Sequence, residues 1–274
     1  MRVGTPAPEE LLKVAVEVVR EAADTARRMR ADGVSGITTK STATDVVTAA
    51  DRAVEREVVA ALRDLRPDDT VLGEEYGDSA GSAAAGPQTV RWILDPIDGT
   101  VNYLYGLPQY AVSLAAEVGG EVVAGVVRNA VTGDEWTATR GGGAHRAGRR
   151  LHGSTESDLG QALVATGFGY DPARRAYQAG VLGELISYVR DIRRFGAASL
   201  DLCMAAEGLV DAYYERGLNL WDHAAGGLIA TEAGLRVAGL AGVAAGPDLL
   251  IAAPPALFGP LHDHLARLGA AGGP

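Results

Sequence analysis

The feature that most constrains this chain is an apolar run, Val90-Arg91-Trp92-Ile93-Leu94, that leads directly into Asp95-Pro96-Ile97-Asp98-Gly99-Thr100. The run reads as a buried strand, and the end of such a strand is where open α/β sheets place their ligand sites. Pro96 fixes its own φ and biases Asp95 towards extended backbone. The three-residue spacing lets the Asp95 and Asp98 carboxylates converge at a turn. Gly99-Thr100 can then open a short helix whose first N–H groups bind phosphate oxygens. Two carboxylates beside an anion-binding turn repel a phosphate unless hard cations lie between them. Oxygen-only donors with room for water suit Mg²⁺. The plain alternative is an Asp-Pro-x-Asp-Gly surface turn, because these are favoured turn residues.

Two further carboxylates weigh on that choice. Gly73-Glu74-Glu75 follows the apolar Thr70-Val71-Leu72, and Trp221-Asp222 opens a small-residue helix. Each has a simpler reading: Asp222 can cap its helix, and Glu74 can be a solvated strand-end acid.

The surrounding pattern alternates helices and strands. Glu9 to Arg30 carries an apolar stripe through Leu11, Leu12, Ala15, Val18, Val19 and Ala22, and Asp51 to Leu65 a second through Val54, Val58, Ala61, Leu62 and Leu65. Strand-like runs cover Thr70 to Gly73, Val90 to Leu94, Ala111 to Val118 and Glu121 to Val127, the last two forming a hairpin about Gly119-Gly120. Ser79 to Pro87 has the composition of a mobile surface loop. The Gly141-Gly142-Gly143 run, with the basic, glycine-spotted stretch to Gly153, marks a boundary between subdomains 1–150 and 151–274. Beyond it, strands are expected at Ala162 to Thr166, Val210 to Tyr214 and Leu249 to Ala252. Helices are expected at Arg174 to Val189, Ala197 to Glu207, Trp221 to Ala233 and Pro255 to Leu268. The class is α/β (mixed α+β), with helices covering sheets.

Composition removes several functions. The 274 residues carry 25 Lys+Arg against 35 Asp+Glu, a net charge of −10, which gives no footprint for nucleic acid or an anionic membrane. Cys203 is the only cysteine, so neither an intrachain disulfide nor a cysteine zinc site is available. No secretory signal pattern and no uninterrupted apolar span is read, and a cytoplasmic protein is expected.

The run from Asp95 to Tyr103 resembles the first signature of the inositol monophosphatase family. Trp221-Asp222-His223-Ala224-Ala225, continuing to Thr231-Glu232-Ala233-Gly234, resembles its second. Gly73-Glu74-Glu75 and the stretch Asp45 to Asp51 match two further blocks in the expected order. The resemblance covers about Lys40 to Gly234 and is nearest to bacterial, actinobacterial-type inositol-1-monophosphatases. It departs at Tyr103, where the family has Phe, at Leu235, where it has a second glycine, and at Ala197, where some members have Thr.

The resemblance implies a layered αβαβα sugar-phosphatase fold and a homodimer that hydrolyses a phosphorylated polyol with two to three Mg²⁺ ions and is sensitive to lithium. It implies that Asp95 bridges two ions, that Glu74 and the Ile97 carbonyl complete one site, and that Asp98 and Asp222 hold the other. Thr100 and Asp51, with Glu74, would orient and deprotonate a water, and the N–H groups of Gly99 and Thr100 would hold the phosphate. Gly196, Ala197, Ala198 and Glu215 would read the alcohol. Without the resemblance, Glu215 is an ordinary solvated strand-end acid.

Other residues carry bland readings. His223 is given a surface or packing role, and His145, His152, His262 and His264 no metal role. Cys203 is a buried thiol, Arg190, Arg193 and Arg194 a solvated face, and Gly141-Gly142-Gly143 lacks the Lys-Ser/Thr of a phosphate loop. Myo-inositol 1-phosphate is the expected substrate. Histidinol phosphate, a 3′(2′)-phosphorylated nucleotide and fructose 1,6-bisphosphate are rivals, and a non-catalytic regulatory protein retaining the fold is the alternative of another class.

Overall fold

The computed structural model describes residues 6–43, 45–79 and 89–274; most of the Ser79 to Pro87 segment lies outside them. Helix α1 (Pro8–Ala31) opens with Pro8 in its first turn, where a missing N–H costs nothing. A short antiparallel pair, β1 (Thr38–Thr39) and β2 (Val46–Val47), precedes α2 (Ala49–Leu65). Thr48 caps α2 in a reciprocal box with Asp51. In α1 and α2 the expected stripes are the buried faces, except that Leu12 and Ala61 are half-buried and Leu65 stands exposed at the end of its helix.

The larger sheet has eight strands: β3 (Thr70–Gly73), β4 (Gly77–Ser79), β5 (Val90–Asp98), β6 (Ala111–Val118), β7 (Glu121–Asn129), β8 (Glu135–Thr139), β9 (Gly143–Arg146) and β10 (Arg149–Arg150). Their order is β10-β9-β8-β7-β6-β5-β3-β4. The glycine-spotted stretch after Gly141 is therefore strand as well as turn, since β9 and β10 close the edge of this sheet. Glycine turn signals hid two strands too short to show alternation. Helix α3 (Thr100–Tyr105) follows β5.

The smaller sheet joins β11 (Leu163–Thr166), β12 (Asp191–Arg193), β13 (Ala212–Glu215), β14 (Arg236–Ala238) and β15 (Leu250–Ala253) in the order β12-β11-β13-β15-β14. Strand β11 runs parallel to both β12 and β13. The expected helix through Val189 stops earlier: α4 (Pro172–Leu185) gives way to a single 3₁₀ turn, Ile186–Tyr188. Helices α5 (Ala198–Glu207), α6 (Leu220–Glu232) and α7 (Pro255–Arg267) complete the chain.

Alternation along β5 explains the layering. Trp92 and Leu94 pack with α1 and α2, whereas Ile93 faces the other way, onto the core built from α5 and α6. Each such fully buried side chain contributes about 1.5–3 kcal/mol. The α5–α6 core also takes Ala165, Tyr213, Leu250 and Ala252 from the smaller sheet. The opposite faces of those strands, through Val164, Ala212, Tyr214 and Ile251, pack on α4 and α7. The result is five layers, αβαβα. Close approach at the middle layer depends on glycine: a Cβ on Gly125 of β7 would lie 3.1 Å from the Cα of Ala225 in α6.

Candidate active site

Strand β5 does not end at Leu94 but continues through the acidic run to Asp98. Pro96 cannot donate to the ladder, so pairing with β6 jumps from Asp95–Ser113 to Asp98–Ala111. The Asp95–Asp98 spacing is thus the work of a bulge inside a strand, not of a turn after it. Gly99 follows with φ +89°, and a Cβ there would press on the Gln109 carbonyl at 2.9 Å. This left-handed residue starts α3 and swings Thr100 back under the strand end.

A cavity of about 610 Å³ opens at this point. Glu74, Asp95, Ile97, Asp98, Gly99, Thr100, Gly196, Ala198, Glu215 and Asp222 all line it. Asp51 and Ala197 do not line it. Asp51 is buried behind Thr100, whose Oγ1 lies 3.1 Å from Asp51 Oδ1 and 3.0 Å from the Ile97 carbonyl. Ala197 is buried under Gly99, so its methyl packs the floor and is not presented to a ligand.

The acids are fixed from behind by main-chain donors. Asp51 Oδ2 accepts from the Thr48 N–H at 2.7 Å and the Thr48 hydroxyl at 2.5 Å. Asp98 accepts from the N–H groups of Ala198 (3.2 Å) and Ser199 (2.7 Å) and from the Ser199 hydroxyl (2.5 Å). The first amides of α5, expected to face the substrate's alcohol, are therefore spent on Asp98. Asp222 Oδ2 closes a capping box on the Asn219 N–H at 2.6 Å, so the simple capping reading holds alongside its place in the cavity wall. Lys40 Nζ holds Glu74 Oε1 at 2.8 Å and Glu75 Oε1 at 2.5 Å.

Asp95 differs from the rest. Its Oδ1 is buried without a hydrogen-bond partner, and burial followed by the charges of Glu74, Asp98, Asp222 and Asp51 pushes its carboxyl well above the ordinary range. Burial and Glu74 and Asp98 do the same to Asp222. Burial also raises Glu74, opposed by the Lys40 ammonium. A desolvated set of mutually repelling carboxylates needs protons or cations. Among the described residues, no three Asp, Glu, His or Cys side chains are drawn together into a ready ligand set. The acids share a wall, feel one another's charge and are all oxygen donors, and the orphaned Asp95 oxygen is a vacant acceptor. These properties fit a hard cation such as Mg²⁺ better than any soft metal.

The other end of the cavity is built by the smaller sheet. Glu215 ends β13 and accepts from the Tyr213 hydroxyl at 2.6 Å. Burial raises its carboxyl to about 7, against the Tyr213 hydrogen bond and the Arg194 charge. Its carboxylate lies where a Cβ on Gly167 would sit. Arg194, read from sequence as solvated, follows β12 and lines the cavity. The other two arginines do not join it: Arg190 holds Gln161 and Arg193 holds Asp191.

Sequence reasoning missed Lys40, Ser199, Tyr213 and Asp201. Asp201 of α5 is fully buried with neither carboxylate oxygen hydrogen-bonded, and burial, with Glu215 and Asp98 nearby, raises it strongly. Only Ser199 gave a signal, a hydroxyl in the first turn of a helix that meets the site. The bland readings fare well elsewhere. Cys203 is fully buried. The Gly141 and Gly143 amides hold Glu232 at the end of α6. Gly234 supplies the left-handed residue after α6 with φ +92°, so Leu235 in place of a second glycine costs no cap. No helix among the described residues is long and apolar enough to cross a membrane.

The chain is 44% identical over 275 residues to the inositol-1-monophosphatase of Mycobacterium leprae, covering 95% of this chain and 94% of that one. It is 36% identical over 225 residues to the Nus factor SuhB of Escherichia coli, covering 82% and 83%. The solved structure of Mycobacterium tuberculosis SuhB superposes with a TM-score of 0.82 at 41% identity, covering 97% of this chain and 99% of that one. The model of the inositol monophosphatase family matches residues 7–267. With the five-layer fold and the acidic wall at the end of β5, these likenesses have one reading: the chain belongs to the inositol monophosphatase family.

Proposed function

We propose that this chain hydrolyses a small phosphorylated polyol, myo-inositol 1-phosphate foremost, in an Mg²⁺-dependent reaction. The observation that carries this reading is the buried, unpartnered Oδ1 of Asp95, set among Glu74, Asp98 and Asp222 and beside Thr100. Asp95, Glu74, the Ile97 carbonyl, Asp98 and Asp222 would hold two to three ions. Bound Mg²⁺ offsets the charge of the phosphate and of the leaving alkoxide and acidifies water.

The protein's own part is orientation and proton transfer. Thr100 Oγ1, when it donates to Asp51, turns its lone pairs to the cavity and can accept from a water. Asp51 is placed to take the proton through it, its carboxyl raised by burial and thereby made a better base. Water attacks phosphorus, the bond to the alcohol oxygen breaks, and that oxygen takes up a proton as the alcohol departs. No side chain need bond to phosphorus. The Gly99 and Thr100 amides are assigned to the phosphate and Glu215 to ring hydroxyls. On this reading residues 1–150 carry most of the ion ligands, while 151–274 carry Asp222 and the alcohol-reading groups. A cytoplasmic, lithium-sensitive homodimer is part of the same proposal.

The test is phosphate release from a panel comprising inositol 1-phosphate, histidinol phosphate, a 3′-phosphonucleotide and fructose 1,6-bisphosphate, with Mg²⁺ and with chelator. Release that survives the chelator overturns the metal role; a rival preferred in kcat/KM overturns the substrate. Likeness to a protein named Nus factor SuhB supports a second reading, regulation without turnover, which gains if no member of the panel is hydrolysed.

A further inference from the structure

Glu55 lies one helical turn beyond Asp51 on α2, is 1% exposed, and points at the turn between β3 and β4. Its Oε2 accepts from the Glu75 N–H at 2.8 Å and its Oε1 from the Tyr76 N–H at 3.0 Å. That turn presents Glu74 to the cavity. Burial raises the Glu55 carboxyl, and the two amide bonds oppose it, so a buried acid is kept where an apolar side chain would fill the space at less cost. The opposing wall is shaped for it: a Cβ on Gly73 would come within 2.0 Å of Oε1 and 2.8 Å of Oε2. Gly73 has no positive φ, so the need for glycine here is spatial. The carboxylate lies against bare backbone.

We propose that Glu55 is a positioning residue for Glu74, and that the glycine before Glu74 exists to admit the Glu55 carboxylate. Two acids four residues apart on one face of α2 then set the cavity from behind. Asp51 sets the Thr100 hydroxyl, and Glu55 sets the turn that carries Glu74. Spacing of i and i+4 places both on one side of the helix. A shift of α2 along its axis would misplace both together. The proposal rests on the reading of Glu74 as a cation ligand, but the cradle itself stands on contacts independent of any ion.

The experiment is a double-mutant cycle on E55A and G73A, read by Mn²⁺ affinity from electron paramagnetic resonance and by amide exchange at Glu75 and Tyr76. Each single variant is expected to weaken Mn²⁺ binding at least tenfold and to speed exchange of both amides. In the E55A chain, G73A should add less than twofold, because the space its methyl needs is already vacated. E55Q keeps one acceptor and should fall between wild type and E55A. Full additivity of the two substitutions overturns the proposal. So does a folded E55A protein with unchanged amide protection. Faster amide exchange with unchanged Mn²⁺ affinity keeps the cradle but overturns its positioning of a cation ligand. A wild-type protein that binds no Mn²⁺ while the exchange cycle remains non-additive refutes the metal reading of the site and leaves the cradle in place.

Discussion

The two ends of the cavity are held to different standards. At the end built by β5, α2, α5 and α6, Asp51, Asp98 and Asp222 each accept a main-chain amide from a helix start, and Glu74 is held by Lys40. At the end built by β12 and β13, Glu215 has one hydrogen bond, from Tyr213 two residues away, and Arg194 is exposed. Reaction geometry tolerates little displacement, and a main-chain donor fixed in a helix start has no rotamer of its own to lose. Recognition of an alcohol needs only a few acceptors at the right distance. On the proposed function, the difference teaches that main-chain donors at helix starts hold the reacting end, while few side-chain contacts hold the reading end.

The largest test of that contrast is Asp95→Asn. It keeps the shape and removes the charge at the centre of the acidic wall, so Mg²⁺-dependent phosphate release should fall at least about 10³-fold, roughly 4 kcal/mol. Folding should not suffer. A carboxyl raised by burial and like charges stabilises the fold when protonated, and that contribution is lost as pH rises through its folded pKa. The variant should therefore unfold at the same or a higher temperature than wild type at pH 8. Undiminished turnover would end the case for a reacting end at β5.

A middle-sized effect is expected at the reading end. Glu215→Gln should raise KM for a polyol phosphate about tenfold, the worth of a hydrogen bond to a charged group, with kcat changing much less. Because the Glu215 carboxyl is raised to about 7 by burial, it gains its charge, and its full acceptor capacity, as pH rises through that value. Wild-type KM should fall across pH 6 to 8, and the fall should be clearly smaller in Glu215→Gln. A kcat effect as large as that of Asp95→Asn would erase the distinction between the two ends.

The smallest effect on turnover belongs to the packing between them. Gly125→Ala would push its methyl against the Ala225 backbone at 3.1 Å, lifting α6 and with it Asp222. Denaturant unfolding should show a loss of about 1–3 kcal/mol. Mg²⁺ affinity should weaken with KM for the alcohol nearly unchanged. An unchanged stability would mean that the α6 seat is softer than its packing indicates.

Legibility in the sequence followed the range of the interactions. The α1 and α2 stripes and the class of the fold could be read because each depends on periodicity, and Glu74, Asp95 and Asp222 could be picked out because they stand in short motifs that resemble the family's. The extension of β5 to Asp98, the short strands β8 to β10 and the cavity-facing Arg194 could not. Glycine and proline look alike in a turn, in a bulge and at a sheet edge, and only strand pairing separates those cases. Asp201 was hidden for a related reason: an acid in a helix looks solvated until the layer beyond it is known.

By itself the sequence marked Asp95 to Thr100 as one contiguous run of carboxylates, glycine and threonine, which a strand end or a surface turn could equally carry. Tertiary structure decided what holds them. Thr100 meets Asp51 across 49 residues, Asp98 meets Ser199 across 101 and Glu75 meets Glu55 across 20. Such pairings depend on strand order and on which layer packs against which. Those properties are set by burial of the whole core, and no local spacing encodes them.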